Sequence, residues 1–372
     1  MTTACLLTPP GRGAIATIRV RGRQAITIAD SLFRSATNLE ISAQPIGKIL
    51  FGEWQSTESA REELVVCRTD EHEIEVQSHG GPAAIDAIVT SLANAGCEIV
   101  RWQDETDSED PIREECVVAL ASATTQRTAA ILLAQLNGSL KSAIEETIHL
   151  LDHDLPSALA SVEVLLDRST VGTHLTTPWR VVIAGPPNVG KSSLINALLG
   201  FDRAIVLDQP GTTRDVVASV TAFDGWPVIL SDTAGIRRSD DQLEMAGVEK
   251  ARQQIAGADL VVEVHSADQW TSDVASTDLA NSRSITVVNK CDLVPNQPFP
   301  DHVLQTIATE SIGIDQLIAR ITESLVPNPP APTDAVPFTL RQIEQLSAAK
   351  HSLTANDGAH AKGSLLAILG DR

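Results

Sequence analysis

The chain has 372 residues, with 48 Asp and Glu against 28 Lys and Arg and a formal net charge of −20. That length has room for two or three domains with sizeable cores, whereas the charge argues against a protein that coats nucleic acid by itself, because phosphate contact needs clustered Lys and Arg. Aromatic residues are scarce and Tyr is absent, which removes the stacking platform of a single-strand binder.

In chain order, the stretch from Cys5 to Asp110 alternates β-rich runs, such as Ala14 to Val20 and Leu64 to Cys67, with a helix-like stretch from Pro82 to Ala95. It predicts an α+β domain over residues 1–111. From Ile112 to about Thr170 the sequence is nearly free of Gly, and Ile131, Leu132, Gln135, Leu136, Leu140 and Ile144 follow helical spacing. Helices packed through an apolar stripe are expected over 112–172. The breaker-rich segments Thr173 to Pro178 and Val326 to Pro337 bound the next region, an α/β domain over 178–326. Beyond it, Leu340, Ile343 and Leu346 predict a short amphipathic helix, with a weaker apolar run at Leu365 to Leu369. A piece of 338–372 is too small for its own core and is expected to pack on the helices before the α/β domain.

The chemistry is concentrated in that α/β region. Gly185-Pro-Pro-Asn188-Val189-Gly190-Lys191-Ser192 fits GxxxxGK[ST] between the apolar run Val181 to Ala184 and the helix-like run Ser193 to Leu199. In such a loop backbone N–H groups and the helix N-terminus face the phosphates, Lys191 adds positive charge, and the Ser192 hydroxyl can reach Mg²⁺. Asp232-Thr233-Ala234-Gly235 follows the run Val228 to Leu230, so its carboxylate would point to the metal and its glycine N–H to the γ-phosphate. Asn289-Lys290-Cys291-Asp292 ends the run Ile285 to Val288. There Asp292 can accept from guanine N1–H and its 2-amino group, donors that adenine lacks. Asn289 would hold the base edge and Lys290 cover the ring. Thr212 and Thr213, in a Gly-containing loop, either close over Mg²⁺ and the γ-phosphate or form a simple turn. The order of these motifs on successive strand ends predicts GTP and GDP binding and GTP hydrolysis.

Other features are weaker. Cys5, Cys67, Cys97, Cys116 and Cys291 show no metal-like pairing and are expected as free thiols in a reducing compartment. Cys291 is explained most simply as a small buried side chain. His149 and His153 lie four apart on an expected helix, where a polar face is a simpler reading than a metal site. With no charged-then-apolar leader and no long apolar run, a cytoplasmic protein without a membrane span is expected.

Asn188 in the phosphate loop, Ala204-Ile-Val-Leu207-Asp-Gln209-Pro-Gly-Thr212-Thr213-Arg-Asp215, and Asp232-Thr-Ala-Gly-Ile-Arg237 followed by Glu244 resemble one family, the tRNA-modifying MnmE (TrmE) GTPases. Leu7-Thr-Pro-Pro-Gly-Arg-Gly-Ala-Ile15, Ile18-Arg-Val-Arg-Gly22 and Glu75-Val-Gln-Ser-His-Gly-Gly-Pro82 are similar to that family's N-terminal signatures. The resemblance implies a P-loop GTPase domain inserted in a helical domain and preceded by an α+β, folate-binding-like domain. It implies K⁺-dependent hydrolysis, with Asn188, Leu207, Gln209 and Thr212 around K⁺, Ser192 and Thr213 on Mg²⁺, and Lys191, Asn188 and Glu244 in catalysis, Glu244 orienting the attacking water. It places Ser193 with the phosphate loop, Ile307-Ala-Thr-Glu-Ser311 at the base, and Arg19 and Glu75 at a formyltetrahydrofolate site. A homodimer, an FAD-dependent MnmG-type partner and wobble-uridine (U34) modification in tRNA are further implications.

Two departures qualify the resemblance. The family's Cys-x-Gly-Lys tail is not matched at Leu369-Gly-Asp-Arg372, and Arg101-Trp-Gln-Asp-Glu-Thr-Asp-Ser-Glu-Asp110 is shorter and more acidic than its counterpart. Both keep open a second reading, a regulatory or assembly switch that uses GTP turnover without the tRNA chemistry. Arg214, Arg237 and Arg238 stand as either arginine fingers or solvated loop residues.

Overall fold

The computed structural model describes residues 1–8, 13–56, 61–104, 110–201, 218–232, 253–271 and 283–370. The chain divides into two units, Met1–Asp107 and Ser108–Arg372.

The first unit is built on strands β1 (Thr3–Leu6), β2 (Ile15–Arg21), β3 (Phe33–Ser35), β4 (Ile49–Gln55), β5 (Arg61–Asp70), β6 (Glu73–His79) and β7 (Glu98–Ile99), with helices α1 (Ala25–Leu32) and α2 (Pro82–Asn94). The strands form a seven-stranded sheet in the order β3-β4-β5-β6-β2-β1-β7. Alternation along β2 and β6 sends Ile18, Val20, Ile74 and Val76 to one face, where they pack with Ile28 of α1 and with Ile88 and Leu92 of α2. Trp54 is fully buried in this core, and its indole N–H donates to Ser91 Oγ at 2.9 Å, so the polar atom of the largest core side chain is satisfied.

The second unit opens with four helices, α3 (Pro111–Ser122), α4 (Gln126–Leu136), α5 (Ser139–Leu151) and α6 (Leu155–Thr173). The starts of α3, α4 and α6 follow from capping chemistry: Asp110, Thr125 and Asp154 each accept the N–H three residues on, at 3.1, 3.2 and 3.1 Å. Next come β8 (Trp179–Ala184), α7 (Lys191–Leu199), β9 (Ala218–Phe223), β10 (Trp226–Asp232), β11 (Leu260–Ser266), β12 (Ser284–Asn289), β13 (Leu304–Thr306) and α8 (Ile314–Leu325). The sheet order is β13-β12-β11-β8-β10-β9, parallel except for β9, which pairs antiparallel with β10. Val181, Ile183, Val262, Val264 and Val287 are all buried, the near-continuous apolar pattern of strands covered on both faces. β8 lies between β10 and β11, so the chain turns to opposite sides of it at a switch point, where crevices form at the carboxyl ends of strands.

Helices α9 (Leu340–Thr354) and α10 (Gly358–Leu369) complete the unit. α9 packs on α6 and α10 on α5. Arg341 reaches both oxygens of Glu115 on α3, at 2.7 and 2.9 Å, and the buried Gln342 donates to the same carboxylate at 2.6 Å. Gln135 of α4, also buried, donates to the Asp334 carbonyl at 2.9 Å and accepts from Val336 N–H at 3.1 Å. The short helix expected at Leu340 runs to 15 residues, and the weak apolar run before residue 370 is a full helix. α10 is capped by Asp357, which accepts from His360 N–H at 3.0 Å, and it buries Ala361, Leu365 and Ile368.

Among the described residues all five cysteines are free thiols, no group of three or more His, Cys, Asp or Glu could hold a metal, and no helix is long and apolar enough to cross a membrane. His149 and His153 lie edge to face with ring centroids 5.3 Å apart.

Candidate nucleotide site

The carboxyl end of β8 runs straight into the loop Gly185 to Gly190, and the loop into α7. Its conformation needs its residue types. Gly185 has φ +144°, and a Cβ there would collide with the Val264 carbonyl of β11. Gly190, the N-cap of α7, has φ +95°, and a Cβ there would strike the Asn289 carboxamide. Asn188 takes the left-handed region at φ 64°, which Asn tolerates better than most residues. α7 begins at Lys191, two residues before the expected helical run, so the N–H groups of its first turn belong to the loop.

Lys191 is 5% exposed, and its Nζ donates to the Gly185 and Pro186 carbonyls at 3.0 and 2.8 Å. The ammonium is thus held inside the curl of the loop. Ser192 Oγ donates to Asp232 Oδ2 at 3.0 Å, joining the first turn of α7 to the end of β10. A hydroxyl beside a carboxylate is a pair of hard oxygen donors, the set that Mg²⁺ takes together with phosphate oxygens. Ser193 is exposed beside it and Val189 is buried beneath the loop.

β12 ends at the residues expected on the base side. Asn289 is 2% exposed. Its Nδ2 donates to the Val189 carbonyl at 3.0 Å, and its Oδ1 accepts from Ala308 N–H at 3.0 Å and Thr306 Oγ1 at 3.2 Å. Lys290 has φ 61° and donates from Nζ to the Asn188 carbonyl at 2.6 Å, laying its stem along the phosphate loop. Asp292 is exposed within the short 3₁₀ turn Cys291–Leu293. Cys291 is half-buried rather than buried; its thiol donates to the Val288 carbonyl at 3.3 Å, and burial raises its pKa. The segment Ile307 to Ser311 contains the short 3₁₀ turn Ala308–Glu310, tied to Asn289 through Ala308.

The structure thus brings together Gly185, Asn188, Val189, Gly190, Lys191, Ser192, Asp232, Asn289 and Lys290 around the ends of β8, β10 and β12. Thr306 was not singled out by sequence reasoning. Its position as the last residue of β13, immediately before the base loop, was the available signal. Leu207, Gln209, Thr212, Thr213, Arg214, Thr233, Ala234, Gly235, Arg237, Arg238 and Glu244 lie outside the described residues. In the first unit, Arg19 of β2 and Glu75 of β6 are directly opposed in the antiparallel ladder, and both are half-buried. Arg101 pairs with Asp104 at 2.8 Å within the acidic stretch.

A phosphate loop on a switch-point strand, with a Ser–Asp pair on one side and an Asn-Lys-Cys-Asp turn on the other, defines a P-loop GTPase. Residues 180–290 match the family model described as 50S ribosome-binding GTPase, and residues 2–102 match that of the GTP-binding protein TrmE N-terminus. The tRNA modification GTPase MnmE of Geobacillus thermodenitrificans is 33% identical over 79% of this chain and 74% of its own length. That of Nostoc sp. is 33% identical over 92% of this chain and 86% of its own. A crystal structure of Aquifex aeolicus Era bound to GDP and AlF4⁻ is 26% identical and covers 46% of this chain and 66% of its own, with a TM-score of 0.31, too low to carry geometry across. The chain belongs to the MnmE family of tRNA modification GTPases, and it binds and hydrolyses GTP.

Proposed function

We propose that this chain couples GTP hydrolysis to modification of the wobble uridine of tRNA. The observation that carries the reading is the convergence of Lys191, Ser192, Asp232 and Asn289 on one loop, in a chain whose relatives are named tRNA modification GTPases. In phosphoryl transfer there is little covalent work for a protein to do, so positioning and fixed positive charge dominate. Lys191 and the α7 N-terminus neutralise phosphate, and Asp292 selects guanine. Ser192 and Thr213 would hold Mg²⁺, and Asn188, Leu207, Gln209 and Thr212 would hold K⁺, two cations that would supply positive charge to the phosphates, while Glu244 would orient water.

Residues 178–326 form the nucleotide domain, inserted between helical segments 112–172 and 338–372, with 1–111 as a separate domain. The Arg341–Glu115 pair and the packing of α9 on α6 support that arrangement. Arg19 and Glu75, opposed on adjacent strands, would contact formyltetrahydrofolate, the guanidinium suiting its glutamate carboxylates and the carboxylate its pterin N–H donors. A cytoplasmic homodimer working with an FAD-dependent MnmG-type partner completes the reading; in a chain of net charge −20, a local basic patch or the partner would supply the tRNA contacts.

The test is chemical analysis of tRNA from cells deleted for this protein. Wobble-uridine modification should disappear and return with the intact gene but not with a Lys191→Ala copy. Unchanged tRNA would leave a GTPase without that substrate.

A further inference from the structure

The two ends of β10 sit in different surroundings. Its last residue, Asp232, accepts the Ser192 hydroxyl. Its first, Trp226, is 2% exposed and follows the turn Asp224-Gly225, whose φ values of 48° and 77° are the left-handed pair that an Asp-Gly hairpin favours. Against this tip lies the start of α4. Thr125 Oγ1, which caps α4 by accepting from Thr128 N–H, donates to the Gly225 carbonyl at 2.6 Å. Arg127 Nη2 pairs with Asp224 Oδ2 at 3.2 Å, and its guanidinium carbon lies 5.2 Å from the centroid of the Trp226 ring. A Cβ on Gly225 would come within 2.9 Å of Arg127 Cβ, so the approach is close enough to need glycine.

We propose that Thr125 and Arg127 pin the β9–β10 hairpin to the helical layer and act as positioning residues for Asp232, setting the rate of GTP hydrolysis from the far end of the strand. β10 is paired on both sides, in register from Val228↔Trp179 to Asp232↔Ile183 with β8 and from Trp226↔Phe223 to Ser231↔Ala218 with β9. A strand held in register on both sides moves only together with the sheet segment around it, so a displacement at its first residue is shared with its last; its seven residues span about 23 Å. In this proposal a small shift of the β9–β10 hairpin at Trp226 reaches the Ser192–Asp232 pair, where misplacement of about 1 Å can cost about a hundredfold in rate. The Arg127–Asp224 pair has side chains 38% and 64% exposed, and an ion pair that exposed contributes little to folding. Its removal can thus change geometry without unfolding the chain.

The inference rests on the GTPase reading and is tested on the full chain by single-turnover GTP hydrolysis and GDP titration. Arg127→Ala and Asp224→Ala should each slow hydrolysis by about 3- to 10-fold with GDP affinity held within about twofold. The double variant should be no slower than the slower single, as expected for coupled groups. The charge exchange Arg127→Asp with Asp224→Arg should recover at least about half of the lost rate. Single-variant rates within about 1.5-fold of wild type, or losses that multiply in the double variant without recovery on exchange, would overturn the pin. Should Arg127→Ala fail to fold, Thr125→Ser is expected to keep the wild-type rate and Thr125→Val to lose it, and equal rates overturn the proposal. A wild-type chain that hydrolyses no GTP would instead remove the GTPase reading itself.

Discussion

Asn289 and Val189, 100 residues apart in sequence, are joined by a buried 3.0 Å hydrogen bond from the Asn289 carboxamide to the Val189 carbonyl. Because the same side chain accepts from Ala308 N–H and Thr306 Oγ1, one residue holds the phosphate loop and the turn after β13 in fixed relation. Gly190 carries no Cβ where that carboxamide lies, so the loop closes onto it.

Replacing Asn289 by Ala leaves Val189 O, Ala308 N–H and Thr306 Oγ1 to find other partners, at about 1–3 kcal/mol for each buried group left unmade. Calorimetric GDP affinity is expected to fall by at least about tenfold, with Tm lowered too. Unaltered affinity would mean that the carboxamide does not organise the site.

Glu115→Ala separates stability from chemistry. It strips Arg341 of a bidentate partner and Gln342 of an acceptor without touching any residue of the nucleotide site. With the pair half-exposed, about 1–3 kcal/mol of stability should be lost in a denaturant titration, while GDP affinity stays within about twofold. A parallel loss of affinity would contradict the separation.

Acid should weaken the fold through two histidines. Burial lowers the pKa of both His174, which stacks on Trp179 at 3.5 Å, and His265, whose Nε2 is buried without a hydrogen-bond partner. Around His174, Asp259 and the Thr177 carbonyl oppose the shift and Arg180 adds to it, burial being largest. Both groups take up protons more readily unfolded than folded, so their contribution is intact above the ordinary value of 6.5 and is lost as pH falls below it toward the folded pKa values. Thermal melts from about pH 7.5 to pH 5 should show falling Tm, and His265→Phe should flatten the slope. Equal slopes would remove His265 from the account.

Potassium dependence is read from turnover in KCl against NaCl. Hydrolysis is expected to be faster in KCl by at least about tenfold, as fixed positive charge on a transferring phosphoryl group warrants, and Glu244→Ala should slow single turnover while sparing GDP affinity. Equal rates in the two salts would withdraw the K⁺ assignment.

The nucleotide site was legible because its motifs sit at strand ends and local spacing marks strand, loop and helix. Gly185, Gly190 and Lys191 are where the spacing placed them. The N-terminal α+β unit was likewise visible, since β2 and β6 alternate and α2 starts at a proline. Less was visible where meaning depends on distant partners. α10 contains Gly358 and Gly363 and shows only a faint apolar run, so its packing against α5 supplies what propensity does not. Thr306, Thr125 and Arg127 carry no motif, and only the folded chain sets them against Asn289 and the Asp224-Gly225 turn.

The central claim is that this site grips a guanine nucleotide through the phosphate loop and reads the base with Asp292. Calorimetric titration of GDP with Mg²⁺ into the wild-type chain and into Asp292→Asn tests it directly. Wild type should bind at micromolar concentration or tighter, and the variant should bind at least about a hundredfold more weakly, because a site that has lost an acceptor for buried donors rejects the ligand strongly. No heat from the folded wild type, or equal binding by both proteins, would contradict the account.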